Sequence, residues 1–496
     1  MRLLLINPRN PLVHITDRNN YWNKYRVWKP LGLLVLAGLT PPEWDISVVD
    51  ENVDLPDYSR LPRPDLVGVT AFTSQAPRAY EVAAMFRAWG VPVVMGGIHA
   101  TMCQKEAASR VDVVVSGEAE SVWAQVLKDA ARGALRPLYT GGREEMKNTP
   151  LPRHDLLATG YPFGAIQTTR GCPLNCSFCS VSAFNGRSYR RRSIEDVVAE
   201  FKLIGEKHVL VVDDNLIGTR RDHIARAKDL FRAMIEADLG KEWVCQATIN
   251  MADDEELLRL ARRAGCAGVF IGFESATDEG LVEVHKKYNI QKGRDFRASV
   301  LRIQRHDITV CGSFIMGLDV DRPGIGLQIA ATADRYGVDI LNAMVLTPLP
   351  GTDLWKKMEE EGRIASDHFP EDWKYYTLTL PVARHQHLSR NEIVNEMDSC
   401  NRKFYSVWGI LRRVGRNLWK RQHPVLVLVG SLSYRSNDRL NRSVCHDFKR
   451  TWDRLQAAGL LPATGDNLHA FAPRLIVRES NAAVQKERRP SSQARN

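Results

Sequence analysis

Short apolar runs alternate with stretches of helical periodicity from the first residues of this chain. The runs Leu3 to Ile6, Ile46 to Val49, Leu66 to Thr70, Val91 to Met95 and Val111 to Val115 read as five buried strands. Helical patterns at 31–39, 76–88, 104–109 and 119–131 fall between them. Strands that alternate with helices make a parallel sheet covered on both faces. Residues 1–140 are therefore expected to form a doubly wound, Rossmann-like α/β domain. The strand ends carry Asn7-Pro8, Asp50-Glu51, Thr70 to Ser74, Gly96-Gly97 and Gly117-Glu118. Such sheets bind ligands at the carboxyl ends of their strands, where the strand order reverses. Small and polar residues there fit close approach by a large ligand, and they fit ordinary turns equally well.

A Pro-rich bridge, TPLPRHDLL at 149–157, marks a linker over 141–160. A second series of strands and helices begins at Ala165. Strands are expected at 165–169, 208–213, 243–249, 268–274, 309–316 and 338–346, with helices at 193–205, 220–238, 254–264, 293–306 and 324–336. Six units fall short of the eight of a closed TIM barrel, so 161–350 is expected to be a partial (βα)6 barrel with a lateral mouth. From about 352 the strand rhythm is lost. Residues 351–472 read as a mainly helical cap over the substrate and 473–496, rich in Arg, Ser, Gln and Ala, as a disordered tail.

Charge and cysteine usage narrow the classes. The 496 residues carry a net charge of +10, which by itself is weak support for nucleic acid, and no nucleic-acid partner is expected. The opening MRLLLINPRNP has too short an apolar run for a signal peptide, and no stretch reaches the roughly 18 to 20 apolar residues of a membrane span. A cytoplasmic enzyme is expected. Of the nine cysteines, Cys103, Cys245, Cys266, Cys311, Cys400 and Cys445 are scattered singly, as reduced thiols are.

The other three stand together in GCPLNCSFC, residues 171–179. Cys172, Cys176 and Cys179 can converge on one metal centre from a single tight loop. Zinc normally takes a fourth Cys or His ligand, and none stands at matching spacing. A 4Fe-4S cluster held by three cysteines keeps one iron open for another ligand. This loop, with Phe178 before its third cysteine and a strand before it, resembles the cluster loop of the radical S-adenosylmethionine (SAM) superfamily. The resemblance implies that the open iron chelates SAM and that reduction cleaves it to methionine and a 5′-deoxyadenosyl radical. It further implies SAM contacts from Phe178, from Asp213 and Asp214 in VDDN, from Glu274 and Ser275 in IGFES, and from the backbone of CGSFIMG with Gly312 and Gly317. Capping of the following helices explains such Asp and Ser residues as readily.

A doubly wound domain before such a barrel resembles the cobalamin (B12)-binding module of the B12-dependent radical SAM enzymes of the class B methylase type. GGIHAT at 96–101, SGEAE at 116–120, RGCP at 170–173 and LTPLPGT at 346–352 carry the likeness, which covers roughly residues 1–360. It implies cobalamin contacts from Asn7, Thr70, Thr73, Ser74, Gly96, Gly97, Gly117 and Glu118. The DxHxxG signature of a cobalt-ligating histidine is absent, since neither His14 nor His99 has the required neighbours. Cobalt is therefore expected to lack a protein His axial ligand.

Taken together the resemblance implies an enzyme that methylates an unactivated carbon of a hydrophobic small molecule through methylcobalamin, with an external electron donor of the flavodoxin or ferredoxin type. A cyclase or other oxidative rearrangement of tetrapyrrole or secondary metabolism is a rival. A non-catalytic cobalamin-binding protein is another, and intact cysteines speak against it. A tRNA methylthiotransferase would need a second cysteine trio in the N-terminal domain, which has only Cys103. Residues 402–421, RKFYSVWGILRRVGRNLWKR, hold seven Lys or Arg and no acid. Either Trp408, Leu411 and Trp419 enter an anionic membrane surface, with the helix delivering a lipid-like substrate, or these side chains pack on the barrel while the cations face water. The run PVLVLVG at 424–430 is too short to span a bilayer.

Overall fold

The computed structural model describes residues 1–12, 22, 24, 25, 27–290, 294–420 and 422–457. His14, Arg421 and the tail 473–496 lie outside the described residues.

The N-terminal sheet contains β1 (Arg2–Asn7), β2 (Asp45–Asp50), β3 (Leu66–Thr70), β4 (Val93–Gly96), β5 (Val113–Ser116) and β6 (Leu138–Thr140). All are parallel, in the order β2-β1-β3-β4-β5-β6. Alternate side chains serve two cores. Leu4, Ile6, Val67 and Val69 pack with Ala79 and Phe86 on one face, and Leu3, Leu5, Leu66 and Val94 pack with Trp123 on the other. Burial on both faces makes these strands read as unbroken apolar runs. The sixth strand corrects the expectation of five. Its sequence is LYT with only Tyr139 buried, so it has no apolar run to betray it. A helix at Gly97–Met102 was likewise not expected, being too short and too rich in small residues to show a period.

The second series begins with β7 (Gly164–Ile166). A two-residue antiparallel hairpin follows, β8 (Thr169–Arg170) with β9 (Arg190–Arg191). Then come β10 (His208–Val211), β11 (Glu242–Ala247), β12 (Cys266–Glu274), β13 (Thr309–Met316) and β14 (Ile340–Val345). β7 and β10–β14 pair in strict chain order, each parallel to the next, and β7 and β14 form the two edges. This is the open (βα)6 barrel that the rhythm of the sequence predicts. Its outer helices start at oxygen caps from Ser193, Asp254 and Asp295. Trp243, Cys245, Val269, Ile271, Phe273, Val310 and Phe314 point toward those helices and are buried. The alternate positions Gln246, Phe270, Ser313, Asn342 and Met344 line the concave side and retain solvent exposure.

The chain beyond 351 divides. Its first part lies at the mouth: the backbone N–H of Leu354, in the helix Asp353–Glu360, donates to Ser177 O in the cysteine loop. Trp373, Tyr376 and Val382 then join the buried core of the N-terminal domain, with Trp373 Nε1 3.0 Å from both carboxylate oxygens of Glu106. The later helices, expected as a cap over substrate, sit elsewhere. Arg390–Phe404 packs against the barrel helix Ile325–Tyr336, where Glu396 accepts from the N–H groups of Gly324 and Gly326. Val407–Trp419 reaches the amino ends of the strands through Arg416–Asp339 (2.7 Å), just before β14, and Arg412–Asp334 (2.7 Å). Pro424–Ala457 then crosses the floor of the concave face, with Leu426 beside Gly268 and Tyr434 Oη 4.0 Å from Cys311 Sγ. No described helix is long and apolar enough to cross a membrane.

Trp373 anchors the segment that straps the barrel to the N-terminal domain, and it is 2% exposed. Trp373→Ala is expected to lower stability by about 3 kcal/mol, the usual cost of emptying a large aromatic site. Denaturant unfolding followed by circular dichroism checks this, with the deficit expected in the transition of the N-terminal domain.

Candidate active site

The three cysteines hang from a narrow neck. β8 and β9 pair only over Thr169↔Arg191 and Arg170↔Arg190, so the loop between them, which holds Cys172, Cys176 and Cys179, is closed at its base by two residue pairs. Two arginines directly opposite each other repel. Glu118, at the end of β5 in the other domain, lies between them: its carboxylate is 3.0 Å from Arg170 Nη1 and 2.5 Å from Arg190 Nη2. It also accepts the N–H of Glu144, and Glu120 accepts from Arg170 at 2.8 Å. Burial opposes the charge of Glu118, but the Arg190 hydrogen bond and the Arg170 charge outweigh it and hold the carboxyl below its usual value.

The barrel grips the same neck from below. Asp213 is wholly buried and accepts from Thr168 N, Thr168 Oγ1 and Thr169 Oγ1 at 2.6 to 2.8 Å. Burial raises its pKa to about 6 against the pull of those donors. Asp214 Oδ2 accepts from Gly171 N at 2.8 Å and from Asn185 Nδ2 at 2.9 Å, so it joins the start of the loop to its end. Both VDDN carboxylates thus have a structural task, which the sequence did not assign them.

Inside the mouth, Glu274 ends β12 in the left-handed region (φ 66°) and pairs with Lys286 Nζ at 2.6 Å. Both side chains are 8% exposed. A methyl on Gly272 would run into Glu274 Oε1 and lie 2.9 Å from Lys286 Nζ, so glycine leaves room for the pair. Burial works against the ammonium of Lys286, but Glu274 and then Cys176 and Cys172 outweigh it and hold its pKa above the lysine value. Lys286 therefore brings a positive charge to the cysteine loop. Sequence reasoning missed it, because HKK at 285–287 carries no pattern that separates one lysine from the next.

Burial raises the pKa of all three thiols, Cys176 to about 12; Cys179 also acts on Cys172, and both of these act on Cys176. Among the described residues no trio of His, Cys, Asp or Glu side chains is drawn together as a finished ion site. The donor set still suits a cluster: three soft sulfur ligands on one loop and a neighbouring cation. Phe178 packs over the mouth against Val284, Ile315 and Leu346. Ser275 Oγ instead accepts from Thr277 N beside the next helix start. The Cα of Gly312 faces Phe273 on the outer side, and Gly317 (φ 92°) packs under His385 and binds Asp321 through its N–H.

The carboxyl edge of the N-terminal sheet gathers most of the other candidates. The strand order reverses between β1 and β3, where Asn7 donates to Asp50 at 2.9 Å and Ser74 O accepts from Asn10 at 3.0 Å. Thr73 is buried in the turn that follows Thr70. Gly96 ends β4, and a Cβ on Gly97 (φ 89°) would lie 2.6 Å from Thr70 Oγ1. Gly117 (φ 82°) donates to Thr101 Oγ1 at 3.0 Å. Glu118 alone of this set is turned to the barrel. Phe72, missed by sequence reasoning, stands 69% exposed on the same edge. His99 is wholly buried, with its Nε2 3.0 Å from Tyr80 Oη and 3.2 Å from Glu106. The edge thus offers small residues and an open aromatic ring, which fits a broad flat ligand, and His99 is turned away from it. The helix Ser180–Phe184, directly after Cys179, packs against Gly97–Met102, so this edge and the cysteine loop face each other.

The fold and site define a two-module α/β protein in which the carboxyl edge of one sheet faces a three-cysteine loop at the mouth of an open barrel. Residues 166–322 match the radical SAM superfamily, and residues 24–127 match the B12 binding domain. The chain is 28% identical over 432 residues to a bacteriochlorophyllide d C-12(1)-methyltransferase of Chlorobaculum tepidum, covering 83% of this chain and 89% of that protein. It is 28% identical over 348 residues to a hopanoid C-2 methylase of Rhodopseudomonas palustris, covering 68% and 66%. In fold it is similar to OxsB, a cobalamin-dependent SAM radical enzyme solved with aqua-cobalamin and SAM, with a TM-score of 0.62, 14% identity, and coverage of 99% and 82%. The chain thus joins a B12-binding domain to a radical SAM domain, and cobalamin-dependent radical SAM methyltransferases are among its relatives.

Three outcomes are expected of the neck and the mouth. Glu118→Gln removes the charge that neutralises Arg170 and Arg190, so trypsin should cut faster at Arg143, Lys147 or Arg153 between the domains. In the unchanged protein the clamp is fully present above the ordinary glutamate pKa of 4.5 and is lost as acid protonates Glu118 below it, so cleavage by an acid protease should rise there. Lys286→Met leaves the Glu274 carboxylate buried without its partner and is expected to cost about 3 kcal/mol in denaturant unfolding.

Proposed function

We propose that this enzyme methylates an unactivated carbon of a hydrophobic small molecule, with Cys172, Cys176 and Cys179 as ligands of a 4Fe-4S cluster. The observation that carries the reading is the apposition of the two modules. The cysteine loop leads straight into the helix that packs on the carboxyl edge of the B12-binding sheet. When bound, the cluster and SAM supply a hydrogen-abstracting radical and cobalamin supplies the methyl group. The chain's own residues position and enclose. Asp213, Asp214 and Glu118 fix the loop, and Phe178 with Leu346 and Ile315 keeps water from its inner side.

Asn7, Thr70, Thr73, Ser74, Gly96, Gly97 and Gly117 would hold cobalamin without a histidine on cobalt. Phe72 would lie against its ring, and Glu118 would support the site from behind. SAM would lie above the concave face near Phe178, Glu274 and Lys286. Asp214, Gly312 and Gly317 would serve it through the frame around the pocket, as would Asp213 and Ser275. The concave positions Phe270, Ser313, Asn342 and Met344 would meet the substrate. A hydrophobic substrate is supported by that half-apolar lining and by relatives named for bacteriochlorophyllides and hopanoids. Electrons would come from an external flavodoxin or ferredoxin type donor.

The co-products test this. A methyl transfer of this kind consumes two SAM molecules, one giving its methyl group and one giving the radical. Anaerobically reconstituted enzyme containing iron, sulfide and corrinoid should release S-adenosylhomocysteine and 5′-deoxyadenosine together, and Cys176→Ala should abolish the second. Formation of 5′-deoxyadenosine alone, in the presence of a turned-over substrate, would move the reading to a cyclase or other rearrangement. Iron without retained corrinoid would remove the methyl carrier.

A further inference from the structure

The helix Val407–Trp419 presents its apolar residues to water. Val407 is 60% exposed, Trp408 77%, Leu411 57%, Leu418 66% and Trp419 90%. The opposite side, with Gly409, Ile410, Arg413 and Asn417, is buried. Trp408 and Trp419 are eleven residues apart, about three turns, so they project from one side roughly 16 Å apart along the axis. Leu411 and Leu418 flank the line between them. A soluble surface rarely leaves so continuous an apolar stripe uncovered.

The surroundings are cationic. No Asp or Glu occurs from residue 399 to 437. Lys403 and Lys420 are exposed, and Arg412 and Arg416 flank the stripe, held in place by Asp334 and Asp339. The positive groups crowd one another. Burial, then repulsion from Arg416 and, more weakly, from Arg305, depresses the pKa of Lys420, while Asp339 partly offsets it. Burial and Arg262 do the same to His423, against Glu242 and Asp307.

We propose that this helix docks the enzyme on an anionic lipid surface, lying in the interface with Trp408 and Trp419 as its two end anchors. Tryptophan favours the headgroup boundary, and an in-plane helix gains from apolar insertion and from cations facing acidic lipids. A second copy of the chain fits poorly. A two-fold contact would set the same patch against itself, bringing Lys403, Lys420 and Arg416 of one copy against those of the other. The helix lies at the amino ends of the barrel strands, away from the cysteine loop, so the contact tethers the enzyme and leaves the mouth free.

The full-length protein is mixed with phosphatidylglycerol or phosphatidylcholine vesicles and sedimented, with tryptophan fluorescence recorded in parallel. It should pellet with phosphatidylglycerol at about 0.1 M salt, with a blue shift in emission. It should pellet much less with phosphatidylcholine, and it should release at about 0.5 M salt. Trp408→Ser with Trp419→Ser should weaken vesicle binding at least about tenfold at unchanged thermal stability, because both rings are already in water. Lys403→Glu with Lys420→Glu should do the same at low salt and preserve the folded state. Failure to pellet, or equal and salt-insensitive pelleting with both lipids, overturns the proposal. So does concentration-dependent self-association that the tryptophan variant dissolves, which would assign the stripe to a second copy.

Discussion

The site depends on one carboxylate shared between two domains. Glu118 sits between Arg170 and Arg190, which face each other across the two-residue ladder at the base of the cysteine loop. Without it, Arg190 would lose its carboxylate partner and Arg170 would keep only Glu120, so the ladder would set cation against cation where the loop needs to be held. With it, the geometry of the loop becomes a property of the interface. Further polar contacts cross the interface near this point. Lys29 meets Glu206 at 2.6 Å with its side chain 1% exposed, His154 meets Glu200, and Tyr161 donates to Asp50 at 2.8 Å. Such contacts fix relative position more sharply than an apolar face, which can slide.

Around this junction the enzyme separates its tasks. Outward-facing strand residues build the core against the helices, and the alternate residues stay available at the concave side. The strap centred on Trp373 ties the far side of the N-terminal domain to the chain beyond the barrel. The final helices close the floor and the β14 edge, where Tyr405 Oη bonds both backbone polar groups of Leu341. An edge strand satisfied by a side chain in this way offers no template for pairing with another sheet.

The sheets were legible in the sequence because both are parallel, the first with a core on each face and the second buried against its helices, in strands that are largely apolar. Runs such as VLVV at 209–212 and GVFIGF at 268–273 announce themselves without an alignment. β6 was not, since one buried tyrosine in three residues makes no pattern. The cysteine loop was legible from spacing, as three thiols within eight positions have few uses. The partners that hold it were not. Arg170 and Arg190 act through residues far off in the chain, and nothing in a local window links them to Glu118. Asp213 and Asp214 were expected at the ligand, yet their contacts are with Thr168, Thr169, Gly171 and Asn185. A short motif tells that an acid is needed without telling which atoms it serves. The exposed stripe at 407–419 shows the same limit, because periodicity finds an amphipathic helix but not which of its sides meets the protein.

The neck of the cysteine loop also constrains how such an enzyme can change over time. A barrel separated from its companion would keep two guanidinium groups face to face without the carboxylate that bridges them, and a foreign companion lacking an acid at that place would do no better. The clamp works only when both halves of the junction are present, so an exchange that moved one half alone would leave the cysteine loop without it.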